Sequence, residues 1–128
     1  MMLDTILVFL GAGIGGTMRH GVNVFAARLA GPTFPWGTLA INVVGSLGMG
    51  LLVAWLATRA ALPLSGSLRF FLATGVLGGF TTFSAFSLDA VLLWQRGDWA
   101  AAAAYVAASV ALSIGALALG LAVLRGPG

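Results

Sequence analysis

The sequence predicts an all-α membrane protein: 128 residues in one domain, with four transmembrane helices, the third broken at mid-membrane. Three observations predict this. The chain is 60% hydrophobic and only 7% charged, with a mean hydropathy of +1.08. A soluble domain carries roughly 25% charged residues and uses them to face water. A span needs about 20 residues, so four spans and their turns use the length and leave no soluble domain. Finally, the stretch from Gly75 to Ser87, in the middle of the third span, places Gly78-Gly79 just ahead of Thr81-Thr82, which is poor helix sequence.

The elements follow in order. Span one covers 3–29. No Lys or Arg precedes its apolar run, so it reads as a retained span and not as a cleaved signal. Gly31-Pro32-Thr33-Phe34-Pro35 is a cluster of helix breakers. Span two covers 36–58, and the next turn holds Pro63, Ser65, Gly66 and Ser67. Span three covers 67–95, Gln95-Arg96-Gly97-Asp98 makes a tight turn, and span four covers 99–124. Trp36, Trp94 and Trp99 stand at span ends, where aromatic rings sit at the membrane–water interface. Gly11/Gly15, Ala12/Gly16 and Ser46/Gly50 are small residues four apart, the spacing that lets membrane helices approach closely.

Charge narrows the function. The six cations are all Arg, against three Asp, for a net charge of +3. No basic run could follow a phosphate backbone, so no nucleic-acid partner is expected. Zero Cys excludes disulfides, thiolate metal sites and a Cys nucleophile. His20 is the only His, and no base–nucleophile pair or metal-ligand cluster stands out, which argues against an enzyme. Arg59, Arg69 and Arg125 fall on one membrane face, with Arg28, Arg96 and the nearby Arg19 on the other. Orientation follows the Lys/Arg imbalance, and here it is close to none. The chain is therefore expected to insert both ways round and to form an antiparallel, dual-topology homodimer in the lipid bilayer.

In hydrocarbon a polar side chain is costly unless it is paired or faces a cavity. Thr38, Asn42 and Ser46 lie four apart on span two, and Tyr105, Ser109 and Ser113 do the same on span four. Each set shares one helix face. Such stripes either line a wet path or, for Ser and Thr, bond carbonyls of their own helix or join neighbouring helices. Asn42 cannot satisfy its amide on its own helix. All of these groups can offer a hydrogen to an anion. The acids lie elsewhere: Asp4 and Asp98 at span ends, Asp89 in the second half of span three. A break at the Gly/Thr stretch would free backbone carbonyls able to coordinate a cation. Phe83 and Phe86 share a face if helix resumes after it, and the positive edges of phenyl rings can contact an anion.

Gly11-Ala12-Gly13-Ile14-Gly15-Gly16-Thr17-Met18-Arg19, Pro35-Trp36-Gly37-Thr38-Leu39-Ala40-Ile41-Asn42-Val43-Val44-Gly45-Ser46 and Gly78-Gly79-Phe80-Thr81-Thr82-Phe83-Ser84-Ala85-Phe86-Ser87 resemble the Fluc family of fluoride channels, also called CrcB proteins. The resemblance covers the entire chain. Ala85 departs from a frequent Thr and Asp89 from a frequent Glu. The resemblance implies passive fluoride export across the bacterial inner membrane by an antiparallel homodimer with two pores. It implies a structural Na⁺ at the dimer centre on the backbone carbonyls of Gly78 and Thr81. By motif position the fluoride pathway would hold Asn42, Phe83, Phe86, Tyr105, Ser109 and Ser113, with Thr38, Thr82 and Ser84 as additions. Arg19 would attract anions into a vestibule or snorkel to the interface. The rival readings are a small four-helix multidrug or metabolite transporter, which would need a mid-span carboxylate and a proton gradient, and a non-transporting assembly subunit.

Overall fold

In the computed structural model, residues 1–59, 61 and 65–125 are described; Pro63 of the second turn lies outside them. Helix α1 (Met2–Ala30) stops at Gly31, whose φ of 76° only glycine adopts without strain. Helix α2 (Trp36–Thr58) begins directly after Pro35. The third span has two halves. The first, α3, is an α-turn (Ser65–Arg69) that widens into a π-helical stretch (Phe70–Leu77) and closes with one more α-turn (Gly78–Phe80). The second is α4 (Phe83–Gln95). Gly97, with φ of 81°, turns the chain into α5 (Trp99–Arg125). Asp98 starts that helix, its backbone carbonyl accepting from Ala102 N–H at 2.9 Å and its carboxylate from Ala101 N–H at 3.3 Å.

The helices α1, α2 and α5 and the whole of span three are each long and apolar enough to cross a membrane. Large apolar side chains such as Phe9, Phe25, Ile114, Leu119 and Val123 point outward, where lipid accepts them. Inside, α1 packs along α3, α2 along α5, and α4 against α5.

Lipid is as apolar as a leucine side chain, so these contacts rest on close fit and not on hydrophobic burial. Glycine provides that fit. A Cβ on Gly79 would come within 2.6 Å of Ala12 O, and one on Gly15 would meet Val76 O. Gly75 and Gly11 also face each other. The α2–α5 seam is built the same way, with Gly120 against Leu47 and Leu51 and Gly50 against Leu117. Of the small residues named from the sequence, Gly11, Ala12, Gly15 and Gly50 thus sit in helix contacts, whereas Gly16 faces open space.

Candidate functional site

Span three breaks at Thr81 and Thr82. Both are extended, with ψ of 158° and 116°, a conformation that suits β-branched residues. Gly78 and Gly79 remain helical, so the weak point of the sequence lies just before the actual break. A continuous helix would send Thr82 N–H to Gly78 O. Instead Thr82 N–H donates to Asn42 Oδ1 at 2.8 Å, and Asn42 Nδ2 donates to Thr82 O at 3.0 Å. Arg19 Nη1 donates to Thr81 O at 3.2 Å. The α1–α3 glycine contacts make that reach possible, because Gly15 lies one turn before Arg19. Thr82 then caps α4: its Oγ1 accepts from Ala85 N–H at 3.1 Å and sits 3.3 Å from Ser84 Oγ.

The break leaves the Gly78 carbonyl without its helical partner. Thr81 O, with one bond from Arg19, retains a second lone pair. Backbone oxygens of this kind suit a hard cation, although the guanidinium beside Thr81 adds positive charge there.

Beside the break lies an open cavity of about 330 Å³, bounded by Asn42, Ser46, Thr81, Thr82, Phe83, Phe86, Ser109 and Ser113, with Val110 and Ile114. Ser109 and Ser113 present buried hydroxyls that have no hydrogen-bond partner among the described residues. By contrast, Thr5, Thr17, Thr81 and Ser87 each bond the carbonyl four residues back. That satisfied arrangement does not occur at Ser109 and Ser113. Phe83 is 79% exposed, and its ring centroid lies 5.5 Å from that of Phe86. Phe86 in turn stands 5.3 Å from Tyr105, which is fully buried.

Tyr105 leads away from this cavity. Its hydroxyl donates to Asp89 Oδ2 at 3.1 Å. Thr38 is buried and lines a different cavity with Asp89, next to the α1–α2 turn. The structure therefore gathers Asn42, Thr82, Phe83, Phe86, Ser109 and Ser113 at one cavity, sets Thr38 at another, and places Tyr105 between them. Ser84 joins through Thr82 alone. The Tyr105–Asp89 pair was missed in reading the spans singly. Its signal is that the two residues are equidistant from Gly97, the pivot of a helical hairpin.

Among the described residues, four helical spans are able to cross a membrane, one of them interrupted beside a cavity, and they define a multi-pass membrane protein. A family model described as CrcB-like protein, Camphor Resistance (CrcB), matches residues 6–121. The chain is similar to proteins named fluoride-specific ion channel FluC. It is 58% identical to that of Methylobacterium nodulans, 54% to that of Agrobacterium fabrum and 53% to that of Mesorhizobium japonicum, each over 97% of this chain and 98% of the relative. The chain belongs to the CrcB-like family.

Proposed function

We propose that the protein is a fluoride-selective channel that lets the ion leave the cell passively, without proton coupling or chemistry. The single observation that carries this reading is the pair of partnerless buried hydroxyls, Ser109 and Ser113, at a cavity they share with Asn42 and the rings of Phe83 and Phe86. A hydroxyl left unbonded in an apolar interior is costly, and a small anion that must shed water would satisfy it. One amide hydrogen of Asn42 remains after the bond to Thr82, and phenyl edges add weak positive potential. Neutral donors suit conduction, since a site must release what it binds.

Two copies in opposite orientations would complete the path. The exposed ring of Phe83 supports this, because a second subunit would cover it and enclose the cavity, giving two equivalent pores. The carbonyls of Gly78 and Thr81 from each copy would hold a central Na⁺, which would supply fixed positive charge and join the subunits. Arg19 bonds the Thr81 carbonyl, and Asn42 clasps the next residue, Thr82.

The test is efflux from liposomes loaded with fluoride or chloride and containing the purified protein. Fluoride release without chloride release is the expected result, and it needs no pH gradient. Equal chloride flux would remove the selectivity claim, and flux that requires a proton gradient would favour the transporter reading.

A further inference from the structure

Under the α1–α2 turn lies a cavity of about 360 Å³ that opens at the end of the bundle, with Asn23, Thr33, Thr38, Asp89 and Arg96 on its walls. Its rim carries a positioned charge. Arg96 Nη2 donates to Thr33 O at 2.6 Å, so a side chain from the α4–α5 turn is held by the backbone of the α1–α2 turn. The same guanidinium stands 3.8 Å from Asp98, and the two side chains are about half exposed, at 51% and 48%. A pair so exposed and so far apart adds little to stability. It does cancel much of the field that Arg96 projects over the cavity. Asp98 has a second task, since its carboxylate caps α5. The other charges at this end are Asp89, which accepts from Tyr105 on the inner side, and Arg28 in the last turn of α1.

We propose that this cavity is a mouth of the ion path, that Arg96 is the charge that gathers the anion there, and that Asp98 sets the rate by partly neutralising it. The cavity adjoins the donor-lined one through Tyr105, whose ring packs at a tilt against Phe86 on one side and whose hydroxyl reaches Asp89 on the other. An anion passing Asp89 needs a compensating positive potential outside it, and Arg96 is fixed where it supplies one. In an inverted pair of subunits, one such mouth would open on each membrane face. The inference rests on the channel reading above.

The test compares fluoride efflux of the wild type, R96Q, R96K and D98N in liposomes, with ionic strength set by a salt of a large organic anion. Asp98→Asn removes the charge yet keeps the cap, because Asn serves at an N-cap as well as Asp does. At about 10 mM salt, where the screening length is about 30 Å, D98N is expected to conduct about two- to threefold faster than wild type and R96Q about three- to tenfold slower. R96K, which keeps the charge, stays within about twofold. At about 1 M salt, where screening acts within about 3 Å, all the differences collapse. D98N flux at or below wild type overturns the proposal. So does an R96Q deficit that persists unchanged at high salt, which would make Arg96 a structural latch only. A wild type that releases no fluoride at any salt is a different outcome, and it is the channel reading that then fails.

Discussion

Asn42 holds Thr82 by both edges of its backbone, accepting from its N–H at 2.8 Å and donating to its carbonyl at 3.0 Å. The carboxamide thus imitates a peptide group and replaces helix bonds that the break removes. Asn42→Ala leaves a part-buried N–H and C=O unpaired, at a cost of about 1–3 kcal/mol for each group left unsatisfied. Asn42→Asp keeps the acceptor but loses the donor and adds a negative charge. Thermal unfolding in detergent, followed by tryptophan fluorescence, should show both variants destabilised, and efflux should be lost in both. A variant as stable as wild type would show that the clasp does not hold the break.

Ser109 and Ser113 should behave in the opposite way. Their hydroxyls bond nothing among the described residues, so replacing either with Ala removes a desolvated polar group and should leave stability unchanged or slightly raised. Flux should fall, by about tenfold for each variant if the lost hydrogen bond to the ion is worth about 1.5 kcal/mol. Variants that lose stability and keep flux would make these hydroxyls structural.

The glycine seams predict sharp positional differences. Gly120→Ala puts a methyl 2.7 Å from Leu47 O and 2.8 Å from Leu51 N, and backbone atoms there cannot step aside. Such overpacking costs about 1–3 kcal/mol. Gly115→Ala, on the same helix with nothing within 4 Å, should be neutral or stabilising by up to about 1 kcal/mol through helix propensity. Equal melting temperatures for the two variants would contradict the close approach of α2 and α5.

Tyr105→Phe removes the hydrogen bond that Tyr105 donates to the Asp89 carboxylate and should destabilise the protein by about 1–3 kcal/mol. In the Asp89→Asn background the same change should cost less, since the carboxylate is gone. Additive losses in a double-mutant cycle would mean the two side chains are not coupled.

Removal of sodium provides a further check on the carbonyl site. Exchanging Na⁺ for a large organic cation should lower the unfolding temperature of the assembled protein and favour separated subunits. Unchanged unfolding and assembly would argue against a bound cation at Gly78 and Thr81.

Much of this architecture was legible because a membrane leaves few options. Backbone groups in hydrocarbon must be satisfied internally, so long apolar runs become helices, and Gly31, Pro35 and Gly97 mark where they stop. The break was legible in outline from the Gly/Thr stretch, but its location at Thr81–Thr82 depends on Asn42 and Arg19, residues distant in the chain. The π-helical stretch from Phe70 to Leu77 had no local signature. It coincides with the close packing of Gly75 against α1, a contact distant in sequence. The polar stripes were visible as spacing, yet spacing alone could not distinguish Thr17, which bonds Gly13 O, from Ser113, which bonds nothing among the described residues. The Arg96 link to Thr33 joins two turns and has no pattern within either one.

Arg19 and Asn42 also precede Thr81 and Thr82 in the chain. During synthesis from the N-terminus, α1 and α2 emerge before the broken span does, already carrying the groups that complete its backbone. The interruption therefore never has to survive alone in lipid. Its partners are waiting in the first half of the polypeptide, and the order of translation becomes part of how a discontinuous helix is admitted to the membrane.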